Sequence, residues 1–345
     1  MSRALVICNQ YGNLPPYSLN GCFNDGNNII ERLKKIDPNI NITLMRDDLN
    51  TNSQLYPNKS NIIREFNRLC TSRETLLFFY FSGHGTYIED FNRDEQTIRQ
   101  TFNGRMVSSI QSLLKDSCIV TNEGNSLNVV SDDEFSQILR ILVPNKKLYA
   151  FMDACHTGTG LDLCNVYMGS YSGKFISQNM SELENEIKRK CVIMSASYPD
   201  KTKSVRANVI SISGTRDKDL SYESSKQTSN GIISSGHFTD RLCWLLDYGV
   251  NNMNLKNFYF CLISLLNDSK QIPVLTCSQN LNLDSTMIND LVYKNNPKTT
   301  IQLNRVPLMK PINKAIEEES EKQSSKRLLY KYLIISQNKK QFKRK

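Results

Sequence analysis

The sequence predicts an α/β protein with a mostly parallel central sheet and helices on both faces, a three-layer sandwich. Three observations carry that prediction. Short apolar runs alternate with helix-period segments from the N-terminus to about residue 200, the pattern of strand–helix–strand units. One run, TLLFFYF (75–81), is apolar throughout, as a strand covered on both faces must be. At 345 residues, with 39% hydrophobic and 22% charged residues, the chain can bury a full core, and this usage excludes a disordered or collagen-like chain.

The elements follow in order. ALVI (4–7) reads as the first strand. GCFNDGNNIIERLKKI then places Cys22, Ile29, Ile30, Leu33 and Ile36 near one helical face, and Asp37-Pro38 stops the helix. NITLM (41–45) is a second strand, followed by a helix with Ile62, Ile63, Phe66, Leu69 and Cys70 at helical spacing. After TLLFFYF and a long polar stretch, DDEFSQILRIL forms an amphipathic helix with Asp132 or Asp133 near its N-cap. KLYAFM (147–152) and VIMSA (192–196) read as two further buried strands. HFTDRLCWLLDYG and NLKNFYFCLISLL form a pair of helices, and IPVLTCS (272–278) is the last strand.

Three segments break the pattern. Residues 86–115 are polar and read as a surface insertion, and residues 199–230, rich in Ser, Lys and Thr, read as a mobile linker. The linker divides a large region (1–198) from a small one (231–300), and residues 301–345 form a tail that begins helical. Eight of the nine net positive charges sit in residues 326–345, so the basic character belongs to the tail and gives no reason to expect nucleic acid on the body. In the tail, Leu328, Leu329, Tyr332, Leu333 and Ile335 form an apolar stripe among basic residues, a pattern that suits an anionic partner as well as a plain solvated extension.

No run of about 18 apolar residues exists to span a bilayer, and MSRALVICNQYG is too short in its apolar part for a secretory signal. Ten scattered cysteines contain no CxxC pair, which argues against a structural zinc site or a disulfide framework. The expectation is an intracellular, reduced, monomeric protein without an organic cofactor.

Two stretches carry chemistry. In FSGHGTYIED (81–90), one of only three histidines stands between two glycines, in what reads as an exposed, flexible turn. In LYAFMDACHTG (148–158), an apolar run ends in an aspartate and a cysteine. Functional groups of parallel sheets sit on loops beyond the carboxyl ends of strands. His84 and Cys155 each follow such an end, so the sheet brings them to one rim. A thiol beside an imidazole, with backbone amides to hold an oxyanion, is the apparatus of a cysteine peptidase.

The pairing resembles the caspase-like cysteine peptidases, and among them the metacaspases. The resemblance covers about residues 3–280. It rests on FYFSGHGT (79–86) and MDACHTG (152–158), with LNGCFNDG (19–26), VSDDEF (130–135), GHFTDRL (236–242) and QIPVLTCS (271–278) in the expected order. It implies a caspase-like α/β sandwich, Cys155 as nucleophile, His84 as general acid/base, and an oxyanion hole from the amides of Gly85 and Cys155. It also implies an acidic pocket of Asp25 and Asp153, lined by Cys22 and Ser82. Two carboxylates suit a guanidinium or ammonium, hence cleavage after Arg or Lys. A pocket for aspartate would instead need arginines, which neither motif supplies.

Calcium activation is a further implication, with Asp116, Asp132, Asp133 and Asp162 at the positions of the family's ligands. Oxygen donors suit Ca²⁺, although Asp132 and Asp133 also read as simple helix caps. An Arg/Lys-directed peptidase could cut itself at Lys201, Lys203, Arg206, Arg216, Lys218 or Lys226. The chain is closest to a type I catalytic domain without its prodomain. It departs from the family in a long stretch between His84 and Asp116, and in Ala154 and Thr157 where serines are common. The rival expectation is an inactive, caspase-like adaptor. Loss of His84 or Cys155 would have favoured it, and both are present.

Overall fold

The computed structural model describes residues 1–89, 98–102, 105–110, 115–171, 191–197, 204–216, 221, 223–228, 231–248, 250–267 and 271–294. The tail therefore lies outside the described residues, as do the linker residues Lys201, Lys203 and Lys218. No helix among the described residues is long and apolar enough to cross a membrane.

The first unit is β1 (Ser2–Cys8), α1 (Cys22–Ile36) and β2 (Asn41–Arg46), followed by α2 (Lys59–Thr71) and β3 (Leu76–Ser82). A small antiparallel sheet of β4 (Gly85–Glu89), β7 (Lys115–Asn122) and β8 (Leu127–Ser131) comes next; the hairpin β5 (Ile98–Phe102) and β6 (Arg105–Ile110) falls between β4 and β7 in sequence but pairs with the main sheet. Then come α3 (Asp132–Leu139), β9 (Lys147–Asp153), β10 (Asn165–Tyr171), β11 (Cys191–Ser197) and β12 (Asn208–Ser213). The hairpin β13 (Glu223–Thr228) and β14 (Gly231–Gly236), the helices α4 (His237–Tyr248) and α5 (Leu255–Leu266), and β15 (Val274–Cys277) complete the fold.

The main sheet has ten strands in the order β2-β1-β3-β9-β12-β15-β10-β11-β5-β6. Its first five strands are parallel, and these carry the site. Strand β15 runs antiparallel to β12, and the strands beyond it extend the sheet in antiparallel fashion.

Alternation along the parallel strands splits the core in two. Ala4, Val6, Phe78, Tyr80, Tyr149, Phe151, Ile210 and Ile212 face α1, α4 and α5. Leu5, Ile7, Leu77, Phe79, Phe81, Leu148, Ala150 and Val209 face α2 and α3. The unbroken apolar runs are thus explained, because both pleat faces are buried. On the second face Phe66 meets Phe79 and Phe135 edge-on at 5.0 and 4.8 Å. Each such buried ring contributes roughly 1.5–3 kcal/mol.

Local sequence closes the helix ends. Asn58 accepts the Asn61 amide at 2.9 Å to cap α2, and Ser131 with Glu134 forms a capping box on α3. Gly26 lets α1 pack on β1, since a Cβ there would overlap the Cys8 sulfur.

The structure differs from the sequence reading at three places. Residues 208–213, expected inside a linker, form β12 between β9 and β15 in the middle of the sheet. Residues 223–228, also assigned to that linker, pair with β14. VIMSA, expected as a buried strand, lies instead in the outer antiparallel part, where Val192 and Met194 are exposed. The polar Asn208, Ser211 and Ser213 hid the central strand. Ser211 and Ser213 are buried, and the Ser213 hydroxyl bonds the Thr157 carbonyl.

Candidate active site

The register of two neighbouring strands sets the site. Ser82, the last residue of β3, pairs with Asp153, the last of β9. His84 and Cys155 each stand two residues further on, and the chain locks there, because a Cβ on Gly85 would overlap the Cys155 carbonyl oxygen. A glycine is required where backbone meets backbone so closely.

His84 is not in an open turn. It is only 5% exposed, and each of its backbone groups is held. Its N–H donates to the Tyr11 hydroxyl at 3.0 Å, and its carbonyl accepts from Val120 N at 2.9 Å. The ring lies 4.8 Å from that of Tyr11, and Nε2 is 2.7 Å from the Tyr17 carbonyl. A carbonyl can only accept, so Nε2 carries the proton and Nδ1 is the nitrogen that can take another.

Cys155 is 4% exposed at the start of a tight turn. The Ala154 carbonyl accepts the hydroxyls of Thr157 (3.1 Å) and Thr215 (3.0 Å), and His156 turns the chain at a positive φ of 55°. Ser221 covers the thiol, its N–H donating to Sγ at 3.1 Å. Its hydroxyl donates to Asp153 Oδ1 at 2.6 Å.

The four residues assigned to the substrate pocket come together. Asp25, 1% exposed in the first turn of α1, accepts the Ser82 hydroxyl at 3.0 Å, the Ser235 hydroxyl at 2.6 Å and the Gly236 amide at 3.0 Å. Asp153 Oδ2 accepts the Thr239 amide at 3.0 Å and its hydroxyl at 2.7 Å. Gly236 touches both carboxylates, because a Cβ there would overlap Asp153 Oδ2. Cys22 is buried beside Ser82 and Asp25. Burial pushes the Asp25 carboxyl well above the ordinary range, and the neighbouring Asp153 pushes it further. Burial raises Asp153 too, against its hydroxyl and amide donors, with Glu223 adding to the rise. Glu223 accepts the Gly21 amide at 3.1 Å. Both carboxylates are thus buried and held by neutral hydroxyl and amide donors.

The residues expected as calcium ligands are Asp116, Asp132, Asp133 and Asp162. Asp116, Asp132 and Asp162 are all buried, and Ser117 ties their elements together. The Ser117 amide donates to Asp132 Oδ2 at 2.9 Å, and its hydroxyl meets that of Thr159 at 3.1 Å. Asp132 Oδ1 accepts the Asp133 amide at 3.0 Å. Among the described residues no three carboxylate, histidine or cysteine side chains converge on a metal position.

Tyr11, Tyr17, Ser221, Ser235, Gly236, Thr239 and Glu223 escaped the sequence reading of the site. GHFTDRL stands out as a motif, but nothing in it marks Thr239 as a partner of Asp153.

Residues 2–164 match the family model described as the metacaspase, peptidase C14 domain. The chain is 27% identical over 304 residues to Metacaspase-1 of Ajellomyces capsulatus, covering 77% of each chain. It is 28% identical over 324 residues to Metacaspase-1 of Scheffersomyces stipitis, covering 82% of this chain and 72% of that one. Among solved structures, Caspase-1 of Spodoptera frugiperda aligns over 86% of this chain and 92% of its own, with 12% identity and a TM-score of 0.44.

Proposed function

Since residues 2–164 match the metacaspase model and the chain aligns with metacaspases over most of its length, we propose that it is a metacaspase-type cysteine endopeptidase cleaving after Arg or Lys with Cys155 and His84. The observation that supports the reading is the register of β3 and β9: Ser82 pairs with Asp153, His84 and Cys155 each follow two positions later, and Asp25 lies near Asp153.

In this mechanism Nδ1 of His84 takes the thiol proton. The sulfur attacks the peptide carbonyl, and the amides of Gly85 and Cys155 receive the developing oxyanion. The C–N bond breaks as His84 returns its proton to the leaving amine, leaving an acyl-enzyme. His84 then takes a proton from water, whose oxygen attacks the acyl carbon; the C–S bond breaks, the sulfur regains that proton from His84, and the acid leaves. Asp25 and Asp153 hold the basic side chain before the scissile bond. Ser221 must move aside, since it lies on both the thiol and Asp153.

One assay tests both the cleavage and its regulation by calcium. Purified protein and Cys155→Ala are given fluorogenic peptides ending in Arg, Lys or Asp, with calcium or with chelator. Cleavage after Arg or Lys, lost in the variant, is expected. Cleavage of none of them, or after Asp alone, would overturn the reading. Self-processing belongs to the same proposal. Arg206 is exposed in the turn leading into β12, and mass mapping after incubation with calcium checks for a cut between 199 and 230.

A further inference from the structure

We infer that Tyr11 is a positioning residue for His84, rooting the loop whose Tyr17 carbonyl meets the imidazole. The inference rests on the peptidase reading for its meaning, but its geometry stands on its own. Tyr11 is fully buried although it sits just past β1, where a polar loop begins. Its hydroxyl does two things at once. It accepts the His84 N–H at 3.0 Å and donates to the Val120 carbonyl at 2.8 Å. Val120 N in turn donates to the His84 carbonyl. One phenol therefore closes a ring of hydrogen bonds around the histidine backbone, while its face packs on the imidazole at 4.8 Å.

Tyr11 is itself held. Its backbone has φ 54°, a conformation disfavoured for a bulky residue unless its surroundings enforce it. Asp47, just beyond β2, enforces it by accepting the amides of Gln10 (2.9 Å) and Tyr11 (2.6 Å). Asn122 Nδ2 reaches the same carboxylate at 3.0 Å. From this root the chain folds back: Leu14 N donates to Tyr11 O, Tyr17 N to Leu14 O, and Leu19 N to Gln10 O, each at 2.8 Å. The fold-back delivers the Tyr17 carbonyl to Nε2 of His84. Asp47, Tyr11 and Tyr17 thus form a chain of restraints that ends on the imidazole and fixes which nitrogen carries its proton.

The test uses Tyr11→Phe, which keeps the ring and removes the hydroxyl. Histidine NMR is recorded in the Cys155→Ala background, with His84 assigned by its loss in His84→Gln. The unaltered loop should show the Nε2–H tautomer at neutral pH, and Tyr11→Phe should show a mixture. In the active protein the same change should lower kcat by roughly tenfold to a hundredfold, the scale of a small misalignment, with KM within about twofold. A purely structural tyrosine would move the melting temperature and leave the tautomer and the kcat/KM split alone, and that result overturns the inference. Should Tyr11→Phe not fold, Asp47→Asn, which keeps the hydroxyl but loosens its root, carries the same readouts. A released tautomer in a protein that cleaves no peptide would uphold the positioning role and defeat the peptidase reading, so the two fail separately.

Discussion

The Cα of Gly85 lies against the carbonyl oxygen of Cys155, close enough that no side chain fits between them. Residues 70 apart in sequence are in this way pressed together, one following the histidine and the other bearing the thiol. Gly85→Ala should therefore separate the two loops. Strain of this kind costs roughly 1–3 kcal/mol. The expected outcome is a folded protein with a lower denaturation midpoint and peptidase activity down about a hundredfold. Unchanged activity would show that the contact does not hold the two groups in register.

The acidic pocket predicts pH-dependent binding of cations. Burial raises both Asp25 and Asp153, so the pair retains a proton above the ordinary carboxylate range. Binding of a cation favours the ionised form, so affinity should rise with pH through the raised values. Agmatine, a guanidinium without a carboxylate, titrated into Cys155→Ala by calorimetry isolates this effect from His84. Binding should strengthen from about pH 5 to about pH 8 and release protons. By the same linkage the ligand-free protein loses stability as pH rises from the unfolded carboxylate value through the raised folded ones, and agmatine offsets the loss. A flat affinity profile would mean that the pocket is not the cation site.

Ser221 is predicted to compete with substrate. Its hydroxyl donates to Asp153 Oδ1 at 2.6 Å, a position that a guanidinium would take. Ser221→Ala removes that competitor while keeping the amide that contacts Cys155. A net hydrogen bond is worth about 1 kcal/mol, so KM for an arginyl peptide should fall about fivefold with kcat little changed. An increase in KM would indicate that Ser221 helps bind the substrate.

Much of this site was legible because its essentials are local. Each of FYFSGHGT and MDACHTG carries its strand and its functional residue within a few positions, and a parallel sheet supplies the juxtaposition. Asp25, in the first turn of α1, entered only through the family resemblance. What was not legible depends on partners distant in sequence. Tyr11 reaches His84 across 73 positions, Ser221 reaches Asp153 across 68, and Thr239 reaches it across 86. Nothing in their neighbourhoods marks them. The strand β12 was missed for another reason. Its serines are polar by type but buried in fact, so hydrophobic periodicity passed over NVISIS and chose VIMSA, which is more apolar yet half exposed.

The most direct test of the central claim is covalent. A peptidyl-arginine acyloxymethyl ketone, which alkylates a thiol activated by a neighbouring imidazole, is incubated with the protein, and the adduct is mapped by mass spectrometry. The account predicts a single adduct on Cys155, lost in His84→Ala and suppressed in Asp153→Asn. Labelling of another cysteine, or preferential labelling of Cys155 by the aspartyl analogue, would contradict it.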